Sequence, residues 1–295
     1  MTDAAGILDG AVDLHRHGYP EISDDLRTPM SDIDDVTLCR DAGMRAVVLK
    51  SHVWPTLGRA EMINRAVPGI TVIPSVTLNR FAGGMEPDVV ELAARQGAGV
   101  VYLPTASAAS DLARGGISQR IAGVIDRYRP DAERGVVITD DDGELTAAAL
   151  SVLDVFDAYP LLVYSGHVSV AETMAILRTG RLADRYVFAH PDSHSIGASG
   201  EDIAEAARLG AFIEICALGA YAPIGRVSFA DLARMVRLVG AERCVATSDY
   251  FFSWCPPSSA MLQTLADALI AEGLTRHEIE LIFRDNPAHL VRHAL

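Results

Sequence analysis

Lysine is almost missing from this chain: Lys50 is the only one in 295 residues, and arginine supplies every other basic side chain. Positive charge is scarce as well, with 25 Lys and Arg against 39 Asp and Glu and a formal net charge of −14. No basic cluster offsets the acidic excess, which excludes a surface built for phosphate backbones or anionic membranes. The four cysteines, Cys39, Cys216, Cys244 and Cys255, contain no close-spaced pair, so a zinc knuckle and a disulfide framework are both excluded and buried reduced thiols are expected. No apolar run approaches the roughly 20 residues of a membrane span, and residues 1–10 lack the basic-then-apolar order of a leader. No low-complexity tract or linker divides the chain. These absences point to one domain over 1–295, soluble and cytoplasmic, whose partner is a small molecule; a homo-oligomer is compatible with the sequence.

What is present is a repeating alternation. Short apolar, β-rich runs recur at Ala11 to His15, Arg45 to Lys50, Ile70 to Val76, Gly99 to Leu103, Leu161 to Ser165, Arg185 to Ala189, Ala211 to Cys216 and Arg243 to Thr247. Stretches of helical spacing lie between them, including Asp88 to Gln96, Val170 to Arg178, Glu201 to Leu209, Phe229 to Val239 and Ser259 to Glu272. Ser169 with Glu172 forms a capping-box pattern, and Gly97, Gly180, Gly210, Gly240 and Gly273 follow helical runs as stop signals. Strand then helix, eight times, at this length predicts an α/β fold of the (β/α)8 TIM-barrel type. The connection after Leu103 is too long for a simple crossover, so an insertion is expected between strands 4 and 5. Within it, Ser118 to Tyr128 reads as a helix, and Gly135 to Thr139 with Asp140-Asp141-Asp142-Gly143 reads as a small hairpin. If Val136 to Thr139 were instead a barrel strand, Asp140 would reach the rim. The spaced ligands of a calcium loop are absent from the three aspartates.

The ends of the apolar runs carry the chemistry. His15 and His17 close the first, and Lys50, His167, His190 and Asp249 stand at the ends of four others. Alternation in a strand puts Asp13, His15 and His17 on one face. In a parallel barrel all strand C-termini open on one rim, so these distant residues are expected at a single site.

An HxH on the first strand, His on the fifth and sixth and Asp on the eighth is the ligand layout of the amidohydrolase superfamily, which this sequence resembles over nearly its full length. The residues carrying the likeness are Val12-Asp13-Leu14-His15-Arg16-His17, Ser165-Gly166-His167, Phe188-Ala189-His190-Pro191, Thr247-Ser248-Asp249 and the closing Asp285-Asn286-Pro287-Ala288-His289-Leu290. More narrowly, Val47 to Thr56 with Leu78-Asn79-Arg80 is similar to an uncharacterised amidohydrolase-like family. The resemblance implies a divalent metal held by His15, His17, His167, His190 and Asp249, with Asp249 also moving the proton of the attacking water. Zinc is the first expectation, manganese or iron the next, as one or two ions. Such an ion lowers the pKa of a bound water from about 15.7 towards about 7. Asp13 is the expected partner that orients an imidazole.

One departure from the superfamily pattern concerns the ligand that bridges two metals in many members. Strand 4 ends Tyr102-Leu103-Pro104-Thr105 and offers neither Lys nor Glu. Lys50, alone on an apolar strand, is therefore read as functional: a bridging ligand after carboxylation, a donor to substrate oxygen, or the holder of a carboxylate. His52, two residues on, and His194, in a rim loop, are candidate substrate contacts, as is Arg80 through its planar fork. Trp54, Tyr102, Tyr250, Phe251, Phe252 and Trp254 are candidates for an aromatic pocket wall. His277, His289 and His293 read as structural.

Three functions compete. The first is hydrolysis of an amide, lactam or other cyclic C–N bond, with a lactone or phosphoester as alternatives on the same barrel. The second is metal-dependent decarboxylation, for which Arg80 and the aromatic rim would serve. The third is a catalytically silent barrel that binds metal or ligand structurally.

Overall fold

The computed structural model describes residues 6–24, 27–123 and 135–295. Its eight strands are β1 (Val12–His17), β2 (Ala46–Lys50), β3 (Thr71–Thr77), β4 (Val100–Tyr102), β5 (Leu162–Tyr164), β6 (Tyr186–Phe188), β7 (Phe212–Cys216) and β8 (Cys244–Thr247). Each pairs in parallel with the next in chain order. The ring closes where the amide of Asp249 donates to the His15 carbonyl at 2.8 Å and the amide of His17 to the Tyr250 carbonyl at 3.0 Å. All eight expected strands are found, within a residue or two at their ends, and the fold is a (β/α)8 barrel.

The helices are α1 (Asp32–Asp41), α2 (Leu57–Ala66), α3 (Pro87–Arg95), α4 (Ala109–Arg114), α5 (Ile117–Ala122), α6 (Ala147–Ala158), α7 (Val170–Arg178), α8 (Gly200–Arg208), α9 (Phe229–Val239), α10 (Ser258–Ala271), α11 (Arg276–Glu280) and α12 (Asn286–Leu290). The capping box at α7 forms as expected, with Ser169 Oγ accepting from the amide of Glu172 and the Glu172 carboxylate accepting from that of Ser169. Glu172 does more than cap: its other oxygen accepts the Ile138 amide at 2.7 Å, tying the preceding loop to the barrel.

Two apolar layers result from the strand period of two. Val12, Leu14, Val48, Val100, Leu162 and Val187 fill the barrel interior, closed below by Leu290 and Val291. Residues of opposite parity, among them Val47, Leu49, Val101, Val163 and Ile215, pack outward against the helices.

Between β4 and β5 the described residues hold α4, α5, two isolated bridges and α6. Of the expected helix from Ser118 to Tyr128, residues 118–122 fall in α5, and residues 124–134 lie outside the described ones. Thr139 pairs antiparallel with Leu145 around the acidic turn. There Asp140 Oδ1 accepts the amides of Asp142 and Glu144 at 3.0 Å each, so this carboxylate stabilises a turn. Val136 makes a single bridge to Ala108, and β4 pairs directly with β5, so the alternative barrel strand over Val136 to Thr139 is not formed.

Candidate metal centre and active site

His15 and His17 end β1 inside the barrel mouth, each 1% exposed or less. Their Nε2 atoms both lie 3.1 Å from Oδ1 of Asp249, which follows β8 by two residues. The donor atoms of these three side chains fall within 4.8 Å of one another. A second group of the same tightness combines His15, His190 and Glu214. Metal-capable side chains from β1, β6, β7 and β8 thus meet at one end of the barrel.

Backbone geometry turns two of these groups inward. Among the described residues other than glycine, only Asp184, His190 and Asp249 have positive φ, with His190 at 23° and Asp249 at 48°. Such positions persist when their surroundings hold them. The His190 amide donates to Glu214 Oε2 at 2.7 Å, and the Asp249 amide to the His15 carbonyl. His167 follows Gly166, whose φ of +58° and approach to the Leu103 carbonyl leave a Cβ only 2.2 Å from that oxygen. Only glycine fits there.

What faces each imidazole Nδ1 decides what its Nε2 can do. His15 Nδ1 lies 2.8 Å from Glu214, His17 Nδ1 2.7 Å from Glu21 and His167 Nδ1 2.7 Å from Asp111. A carboxylate accepts, so each Nδ1 carries the hydrogen and each Nε2 keeps its lone pair. That is the arrangement that holds metal-ligating histidines in place, and the nitrogen and oxygen donors suit zinc, manganese or iron. His15, His17 and Asp249 fit a divalent ion on these grounds.

The electrostatics agree. Burial and Lys50 disfavour a charged His15, but Asp249 and Glu214 together outweigh them and raise its pKa to about 9, so a proton competes with a metal ion for Nε2. Burial likewise opposes a charged Asp249, yet His15 and His17 hold its carboxyl well below the usual range. His190 is pushed down to about 3, chiefly by burial. The cluster therefore concentrates negative charge where a cation would be most favoured.

Lys50, 1% exposed, points its amine into this group, with Nζ 2.8 Å from His15 Nε2 and 4.8 Å from the ring centre of Tyr102. Burial lowers its pKa against the pull of Asp249, Glu214 and Glu21. Among the described residues no carboxylate lies within ion-pair distance of it, so of the three roles read from sequence the holding of a carboxylate has no contact behind it.

The other expected residues are spread more widely. A cavity of about 340 Å³ is lined by His17, Lys50, His52, His167, His190 and Asp249 at its deep end and by His194, Phe251, Phe252, Ile117, Leu218, Arg120 and Arg226 further out. His167 stands beside the clusters, its ring centre 5.1 Å from that of His190. His194 is exposed, with Nε2 donating to the Arg114 carbonyl at 2.8 Å. Tyr102 is fully buried below the cavity, its hydroxyl on the Leu14 carbonyl. Trp54, 67% exposed, and Arg80, in a short 3-10 turn, do not line the cavity. Tyr250 is buried beneath the rim, and Trp254 stacks on Phe252.

Asp13 requires a correction. Its carboxylate accepts the amides of His15 and Ser248 and the Ser248 hydroxyl, and touches no imidazole ring. Orientation of the rings falls instead to Glu214, Glu21 and Asp111, which sequence reading missed. Glu214 had a signal: a carboxylate within the apolar strand Phe212-Ile213-Glu214-Ile215-Cys216 must be buried and partnered. Glu21 and Asp111 have no comparable mark, since one lies in a loop and the other on the short α4.

Comparison with solved structures shows the same barrel elsewhere. An amidohydrolase from Pseudomonas aeruginosa is 12% identical, with a TM-score of 0.67 over 98% of this chain and 97% of its own. A phosphotriesterase from Mycobacterium tuberculosis is 16% identical, with a TM-score of 0.56 over 99% and 98%. A lactonase from Listeria monocytogenes is 11% identical, with a TM-score of 0.55 over 97% and 96%. At these identities the likeness is one of fold. No curated protein matches the chain. A family model described as "Family of unknown function (DUF6282)" matches residues 10–214, and the chain belongs to that family.

Proposed function

We propose that the protein is a divalent-metal-dependent hydrolase acting on an amide, lactam or other cyclic C–N bond of a small molecule. One observation carries the reading: the Nε2 atoms of His15 and His17 converge on Asp249 Oδ1 while their Nδ1 atoms are held by Glu214 and Glu21. His15, His17 and Asp249 would hold the first ion, zinc before manganese or iron, and His190 and His167 stand where a second would find donors. When bound, the ion supplies Lewis-acid polarisation of the scissile bond and acidification of water.

The chain's own groups do the rest. Asp249, kept ionised by its two histidines, takes the proton of the attacking water and returns it to the leaving nitrogen. Lys50 brings a donor into the same cluster. Phe251, Phe252, Ile117 and Leu218 give the cavity apolar walls that exclude bulk water around the reacting bond.

Ester or phosphoester hydrolysis on the same residues is the second reading, favoured by the likeness to a lactonase and a phosphotriesterase. Decarboxylation loses Arg80 and Trp54 from its sequence argument, because neither lines the cavity, and keeps only Phe251 and Phe252 of the aromatic rim. The test is metal content after purification without chelator, followed by an assay of the zinc- and manganese-loaded protein on a panel of amides, lactams, lactones and phosphoesters. Metal-dependent turnover is expected. Substoichiometric metal, with no turnover and no change in melting temperature on adding either ion, would leave only the silent barrel.

A further inference from the structure

His52 differs from His15, His17 and His167 in one respect: its Nδ1 faces a hydroxyl, Thr105 Oγ1, at 2.8 Å. Which of the two carries the hydrogen is decided further out, at Asn79. Oδ1 of Asn79 accepts the amides of Thr105 and Ser107 at 2.9 Å each. Its Nδ2 donates to the His52 carbonyl at 2.9 Å, a group that can only accept, so the side-chain amide has one permitted orientation. The second Nδ2 hydrogen then goes to Thr105 Oγ1, 2.7 Å away, and that hydroxyl must accept it. Thr105 is completely buried. Among the described residues the acceptor in reach of its own hydrogen is His52 Nδ1. The opposite arrangement would leave a buried O–H without a partner, which proteins avoid. The hydroxyl donates to Nδ1, and the ring hydrogen sits on Nε2.

We propose that Asn79 and Thr105 lock His52 in the tautomer that presents Nε2–H to the cavity, making it a hydrogen-bond donor to the substrate oxygen on which negative charge develops. His52 lines that cavity beside His17, with ring centres 4.6 Å apart, and Nε2 has no hydrogen-bond partner among the described residues. The nitrogen that faces the cavity is thus a donor, unlike the lone pairs on His15 and His17. The donors of His17, Glu21 and His52 also cluster within 4.8 Å, but this group does not serve a cation. Glu21 Oε1 accepts from both His17 Nδ1 and the His52 amide and Oε2 from the Ser51 hydroxyl, and a protonated His52 Nε2 offers no lone pair. The tautomer stands on these contacts alone, whereas the role toward substrate rests on the hydrolase reading.

The experiment is long-range 1H–15N NMR on the full chain carrying 15N-histidine, with His52 assigned by its loss in His52→Gln. Protonated Nε2 and bare Nδ1 are expected in the wild type and in Thr105→Ser. Thr105→Val, similar in shape but without the hydroxyl, should shift the population toward Nδ1–H. On adding zinc, His15 and His17 should move while His52 stays. A wild-type Nδ1–H on His52, an unchanged tautomer in Thr105→Val, or zinc bound by His52 Nε2 would each overturn the lock. Failure of zinc to move His15 or His17 would count against the hydrolase reading and leave the tautomer result standing. With p-nitrophenyl acetate as probe, His52→Leu should lower kcat by about 100-fold with little change in KM, and His52→Gln should recover part of it. Equal kcat in all three proteins, or no zinc-dependent turnover in the wild type, would remove the role toward substrate.

Discussion

His15 Nδ1 and Glu214 Oε1 lie 2.8 Å apart, joining the first strand of the barrel to the seventh across 199 residues of chain. Both side chains are buried, and the same carboxylate accepts the His190 amide and the Thr247 hydroxyl. One acid therefore aims two expected ligands at once.

Glu214→Gln keeps the shape but removes the charge that keeps the hydrogen on His15 Nδ1. Zinc affinity, measured by competition with a chromogenic chelator, is expected to fall about 10- to 100-fold. Affinity equal to wild type would show that His15 needs no such partner.

His15→Ala combined with His17→Ala should abolish metal uptake, read by elemental analysis of the purified protein, because the group with Asp249 loses two of its three members and the group with His190 and Glu214 loses one. His167→Ala should keep one ion per chain, since His167 belongs to neither of the clusters around His15. Full occupancy in the double variant would put the cation elsewhere.

Asp249→Asn should retain the fold and much of the metal while losing turnover, because an amide cannot take the water's proton. Circular dichroism, metal content and the substrate panel read these separately. Wild-type rates in this variant would remove Asp249 from proton transfer.

Gly166→Ala should destabilise the chain and displace His167. A methyl there would meet the Leu103 carbonyl oxygen at 2.2 Å and the Pro104 carbonyl oxygen at 2.6 Å, on a backbone already at positive φ. A loss of roughly 1 kcal/mol or more is expected in urea denaturation. An unchanged midpoint would mean that the loop relaxes freely.

Arg16, between His15 and His17, is 1% exposed and lies against Asp35 at 2.6 Å and Asp32 at 3.2 Å. Arg16→Ala leaves the buried Asp35 without its cation, while Asp32 keeps Arg59 at 2.6 Å, at an expected cost of about 3 to 5 kcal/mol. Denaturant titration checks it, and a change within about 0.5 kcal/mol would place the pair among those of no consequence.

The eight strands, the ends of α3, α7, α8, α9 and α10 to within a residue, and the placing of His15, His17, His190 and Asp249 at one rim were legible in the sequence. These are local signals. An apolar run of period two, a Ser with Glu three residues on, or a glycine after a helix acts through neighbours a few residues away, and barrel topology then brings the strand ends together. The partners of those residues were decided by tertiary structure alone. Glu21, Thr105 and Asn79 lie in loops and Asp111 on the short α4, and their contacts depend on the path the chain takes over the rim. The same paths left Trp54 and Arg80 outside the cavity that strand order alone had offered them. Except at the register shift between Asp13 and Arg16, which separates Asp13 from the two histidines, a residue's place on a strand follows from alternation along the backbone, whereas the atom facing an imidazole nitrogen follows from packing between segments up to 199 residues apart. No pattern along one chain encodes that second quantity directly, and here it decides that Nδ1 of His15 and His17 faces a carboxylate while that of His52 faces a hydroxyl.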